Sequence, residues 1–142
     1  YFQHMSEKVG IRLRMHQFQS DTFFIGVKTQ LGWLSTKIKL QNTTDDGGTI
    51  YKVCLDFVDE QYRGQECRQV QVTALSPEQG KQQDLFIDNN AKQRRESLNQ
   101  AMDDINQRYG EFTVAPMRVI GRSEMPNVIA PAWKPTGHRK TI

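Results

Sequence analysis

Twice in the first half of the chain, apolar and polar side chains alternate with a period of two. Thr22 to Thr29 (Thr-Phe-Phe-Ile-Gly-Val-Lys-Thr) and Trp33 to Leu40 (Trp-Leu-Ser-Thr-Lys-Ile-Lys-Leu) therefore read as strands. Gln30-Leu31-Gly32 makes the turn between them, and an antiparallel hairpin is the simplest pairing. Elsewhere the spacing is helical. Ser6 to Gln17 places Val9, Leu13 and Phe18 toward a core and Arg12 and Arg14 outward, although Gly10 weakens that helix. Asn42 to Gly48 is a polar loop with helix-start residues, Asp45 and Asp46 among them. Thr49 to Tyr62 then repeats Ile50, Val53, Cys54, Phe57 and Val58 at helical intervals, and Gly64 ends it. Glu66 to Leu75 is a third strand, with Val70, Val72 and Ala74 on one face.

After Leu75 the composition changes. Residues 77–91 are rich in Gln, Gly, Asn and Asp and read as a linker, interrupted by the pair Leu85-Phe86. Lys92 to Tyr109 is an amphipathic helix with a stripe of Leu98, Met102, Ile105 and Tyr109, terminated by Gly110. Asp103 and Asp104 read as its solvated face. Thr113 to Ile120 reads as a short extended stretch, and a Pro-rich tail runs to Ile142. Residues 1–5, Tyr-Phe-Gln-His-Met, look like the remnant of a purification tag and are set apart from the fold. The division is thus a domain over 6–76, a linker over 77–91, and a helix with a basic Pro-rich tail over 92–142.

The order helix, strand, strand, helix, strand makes this an α+β chain. It is most of a ferredoxin-like, split β-α-β unit without its first strand. The piece from Ser6 onward is expected to belong to a longer protein. An uncovered sheet edge would be open to the tail or to a second copy of the chain, a route to self-association.

Composition narrows the classes. Among 142 residues, 25% are charged and 37% hydrophobic, enough for one modest core. No apolar run approaches the roughly 18 residues of a membrane span, so no membrane partner is expected. Two cysteines, Cys54 and Cys67, cannot make a disulfide framework or a zinc site, which suits the cytoplasm. The net charge of +3 is unevenly spread: residues 1–111 carry −1, and residues 112–142 carry +4 with four of the five prolines.

Two features carry candidate chemistry. If helices cover the apolar side of the sheet, the other side shows Lys28, Lys37 and Lys39, with Trp33, Ser35, Gln69, Gln71 and Thr73, and no carboxylate. Cations, hydroxyls and amides without opposing charge suit phosphate backbones; they equally suit a solvated face. In the linker, Gln82-Gln83-Asp84-Leu85-Phe86 has two large apolar residues with no periodic partners. Such a peptide can anchor Leu85 and Phe86 in a partner's pocket while Gln82 fixes register, or it can fold back on its own domain.

Together these pieces resemble the C-terminal portion of a bacterial Y-family translesion DNA polymerase, of the polymerase IV or polymerase V catalytic-subunit type. The segment through Arg68-Gln-Val-Gln-Val-Thr-Ala-Leu75 resembles the little finger domain. Gln82 to Phe86 matches four of the five positions of the bacterial sliding-clamp motif, with Gln83 in place of the usual Leu. Arg95 to Gly110 is similar to the segment that follows that motif in polymerase V relatives. The resemblance implies a sheet that grips duplex primer–template DNA, with Lys28, Ser35, Thr36, Lys37 and Lys39 as phosphate contacts. It also implies a sliding-clamp tether at Gln82, Leu85 and Phe86, and a role in DNA repair and the SOS response. The polymerase chemistry does not carry over, because the Mg-binding acids belong to a palm that cannot fit here. No cofactor is expected in this piece, which should be inactive alone. Two alternatives stand beside this reading: an interaction module of a catalytically inactive polymerase relative that recruits repair proteins, and an independent ferredoxin-like nucleic-acid-binding domain.

Overall fold

A computed structural model describes residues 1–79 and 89–120, with Asn89 described in its backbone only. Its elements are α1 (Phe2–Met15), β1 (Phe18–Thr29), β2 (Gly32–Thr44), α2 (Gly47–Gln61), β3 (Cys67–Leu75), β4 (Glu78–Gln79) and α3 (Asn89–Tyr109). The expected α+β order is present, and the expected hairpin is β1–β2. Its turn closes with Thr29 opposite Gly32. Gly32 adopts φ +124°, a conformation glycine alone takes without strain. β1 is central, with β2 on one side and β3 antiparallel on the other; among the described residues β2 and β3 pair only with β1.

One face of this sheet carries the core. The registers align Ala74, Phe23 and Ile38 in one row across the three strands, then Val72, Ile25 and Thr36, then Val70, Val27 and Leu34. α1 and α2 cover these rows, and Leu13, Ile50, Val53, Cys54 and Phe57 complete the buried cluster. Burying such side chains supplies the main driving force for folding, about 1.5–3 kcal/mol for each large one. Gly10, which weakens α1 by propensity, has a packing role. A Cβ there would fall 2.8 Å from the Asp45 carbonyl oxygen and the Gly47 nitrogen, so its absence lets α1 close on the start of α2. Asp46 caps α2, accepting from the Thr49 amide at 2.8 Å.

Several expectations are corrected. α1 starts at Phe2, and Phe2 meets Phe57 edge-on. β2 runs on to Thr44, through part of the expected loop. Arg14 turns inward, donating to both oxygens of Asp103 at 2.5 and 2.8 Å and to the Asp45 carbonyl at 2.7 Å. Asp103 is thus engaged rather than solvated. The face of α3 turned to the body is polar: Arg95 and Asn99 reach Asp46 Oδ1 at 2.8 and 3.0 Å. Leu98, Ile105 and Tyr109 of the expected apolar stripe are exposed. The reason is local: what the body offers at that point is a carboxylate and a guanidinium, and buried charges require partners.

Residues 113–120 form no strand: a bend at Thr113 and Val114 leads to a turn over 117–120. Asn106 of α3 supplies the pairing that a strand would have needed, donating to the Val114 carbonyl and accepting from its amide, both at 2.8 Å. Both ends of the expected linker are structured. β4 pairs with Phe18 and Gln19 at the start of β1, and α3 begins at Asn89.

Candidate nucleic-acid interface

The sheet face opposite the core is uncovered by either helix. Strand alternation sends every second side chain to it, and the registers group them into rows across all three strands. Gln69, Lys28 and Trp33 form one row; Gln71, Gly26 and Ser35 the next; Thr73, Phe24 and Lys37 the third; Leu75, Thr22 and Lys39 the last. Lys28, Ser35, Lys37 and Lys39 are thus brought together, all exposed. Thr36 is not with them. It pairs with Ile25, lies half-buried on the core face, and cannot share a ligand with the lysines.

The expectation that this face lacks a carboxylate is also corrected. The β1–β2 register slips between Ser20 and Thr22, so simple alternation fails at Asp21. The Ser20 hydroxyl reaches the Leu75 carbonyl oxygen at 2.7 Å, fixing the irregularity. Asp21 then comes 3.7 Å from Lys39 Nζ at the rim of the face. A hydrogen bond from Thr22, together with Lys39, holds the Asp21 carboxyl below its ordinary range. Lys39 is therefore partly neutralised, whereas no ion pair among the described residues engages Lys28 or Lys37.

The centre of the face is aromatic. A Cβ built at Gly26 would lie 3.3 and 3.4 Å from two atoms of the Trp33 indole and 3.5 Å from the Phe24 ring. The two rings thus converge over the one position in β1 that has no side chain. Trp33 remains 47% exposed. The same alternation that located the lysines puts Phe24 and Trp33 on this face, but a search for charge passes over them.

The acidic pairs do not fit a metal. Asp46 is committed to Thr49, Arg95 and Asn99, and Asp103 to Arg14. Among the described residues, no group of three or more His, Cys, Asp and Glu could hold a metal ion. Gln82, Leu85 and Phe86 lie outside the described residues. Among the described residues, no helix is long and apolar enough to cross a membrane.

A family model, the impB/mucB/samB family C-terminal domain, matches residues 1–85. The chain belongs to that family. It is also similar to a DNA polymerase IV from Desulfatibacillum aliphaticivorans, 31% identical over 121 residues, covering 82% of this chain. The chain spans 31% of that relative's length. No solved structure matches significantly. The family match and the α+β fold agree with a Y-family polymerase C-terminal region of the little finger kind.

Proposed function

We propose that the chain is the DNA-gripping and clamp-tethering region of a cytoplasmic translesion polymerase acting in DNA repair and the SOS response. The observation that carries this reading is the one-sided sheet: a packed apolar face under two helices, and an open face with exposed Lys28, Ser35, Lys37 and Gln69. Cations and hydroxyls arrayed across three strands suit phosphate oxygens on duplex primer–template DNA. The nucleotidyl-transfer chemistry, with its Mg ions, would be the work of a palm elsewhere in the parent polymerase.

Clamp tethering rests on Gln82, Leu85 and Phe86. Both flanks of that peptide are held by the body, β4 through β1 and α3 through Asp46 and Arg14. It would therefore be presented to a sliding clamp from between two segments that the body holds.

Two titrations test the reading. Duplex affinity should fall steeply with salt, and Lys28→Glu with Lys37→Glu should weaken it and flatten the salt slope by about one per lysine. An unchanged slope would refute phosphate contact by this face. Leu85→Ala with Phe86→Ala should weaken clamp binding about thirtyfold, the scale of a lost hot spot. Equal binding by that variant would refute the tether.

A further inference from the structure

The aromatic centre of the open face is unexplained by phosphate contact. Phosphate binding requires no indole, and an exposed tryptophan on a sheet face has no part in the core. Trp33 lies in the row of Lys28 and Gln69 and leans over Gly26, which the Phe24 ring also approaches. Lys37 stands four residues further along β2, about 13 Å at the strand rise. An aromatic surface with a cation beside it and another a nucleotide or two away has the composition of a site for unpaired nucleic acid. Bases stack on the ring irrespective of sequence while lysines hold the backbone. In duplex DNA the base faces are already stacked on each other and unavailable to an indole.

We propose that Trp33, seated on Gly26 and flanked by Phe24, Lys28 and Lys37, is a stacking site for a base of single-stranded DNA. The site rests on the reading of this face as a DNA interface and adds a strand class to it. Duplex DNA would be held through phosphates alone, whereas a single strand would gain the contact with Trp33. Charge supplies the attraction in both cases, since the two lysines near the rings are free of ion pairs with described residues. Gln69, exposed on β3 in the row of Trp33, offers donors and an acceptor to base edges turned out of a stack.

The test uses the full chain with dye-labelled oligo(dT) and a blunt duplex of equal length, both read by anisotropy. Trp33→Ala should weaken oligo(dT) binding about tenfold and leave duplex affinity within about twofold, whereas Trp33→Phe should retain most of the oligo(dT) affinity. Because Trp33 is on the face away from the core, its truncation should lower the unfolding midpoint only modestly and leave a single cooperative transition. In a Trp133→Phe background Trp33 is the single tryptophan, and oligo(dT) should quench its emission. Unchanged oligo(dT) affinity in Trp33→Ala, or an equal loss for duplex, would overturn the stacking site. If the wild-type chain binds duplex but not oligo(dT), stacking fails and the DNA interface stands. If it binds neither, both fail.

Discussion

Arg14 of α1 grips Asp103 of α3 through two parallel hydrogen bonds, Nε to Oδ2 at 2.5 Å and Nη2 to Oδ1 at 2.8 Å. The two residues are separated by 89 positions and are both mostly shielded from water. Burial opposes the Arg14 charge, and the bond to Asp103 more than restores it, so its pKa lies above the ordinary value. The pair is the main polar clasp between α3 and α1. Asp103→Ala should strand the guanidinium and cost about 1–3 kcal/mol. Hydrogen exchange should show α3 amides losing protection while those of β1 keep theirs; equal loss in both would contradict the clasp.

Asp46 joins α2 to α3 by a second route. Burial pushes its carboxyl up, but hydrogen bonds from Asn99, Arg95 and Thr49 outweigh that and hold it at about 2. A pKa lowered on folding gives stability that is complete above the unfolded value near 3.8 and lost as pH falls toward 2. The loss should be on the order of 1–2 kcal/mol. Asp46→Asn preserves the cap but not the charge, so it should be less stable at pH 7 and should show a weaker dependence between pH 4 and 2. Denaturant titrations at stepped pH would reveal parallel curves if Asp46 were uninvolved.

Glu7 behaves oppositely. Burial and the neighbouring Asp46 raise its pKa, with Arg95 and Arg14 opposing. A raised folded pKa favours the native state at low pH, and that advantage is lost as pH rises through it. Glu7→Gln should therefore stabilise the protein at pH 7, by no more than about 1 kcal/mol, with the gain shrinking near pH 4. Thermal midpoints at the two pH values decide it; a loss of stability at pH 7 would show the carboxylate to be needed.

These clasps show where sequence reasoning succeeds and where it stops. The strands and α2 were legible because one side of each is apolar, so periodicity and burial coincide at Phe23, Ile25, Ile50 and Phe57. The docking of α3 was not, because it uses Arg95, Asn99 and Asp103, and polar residues at helical spacing ordinarily face water. The lysine rows followed from alternation alone. Asp21 escapes it because the register slip comes from how β1 pairs with β2, which periodicity within one strand does not show, and Thr36, a phosphate contact only by the resemblance, lies where alternation puts it, on the core face.

The two thiols should differ sharply. Cys54 is fully buried against Ser6, and burial pushes its pKa up to about 11; Cys67 is exposed. Since the thiolate is the reactive form, a chromogenic disulfide reagent at pH 8 should modify one thiol in the native protein and two in denaturant. Rapid modification of two native thiols would mean that the α1–α2 interface opens readily.

Gly26 allows the fold and the aromatic platform to be separated. Glycine is a poor strand residue, so valine at a central strand position should maintain or raise stability on propensity alone. At this position, however, the first added carbon would already approach Trp33 at 3.3 Å and Phe24 at 3.5 Å. The two methyl groups beyond it would occupy the space of the rings. Gly26→Val should then displace the indole without disturbing the core rows on the other face. The unfolding midpoint should hold or rise while oligo(dT) affinity drops about as far as in Trp33→Ala. A variant that keeps its oligo(dT) affinity would show that Trp33 does not depend on its seat over Gly26.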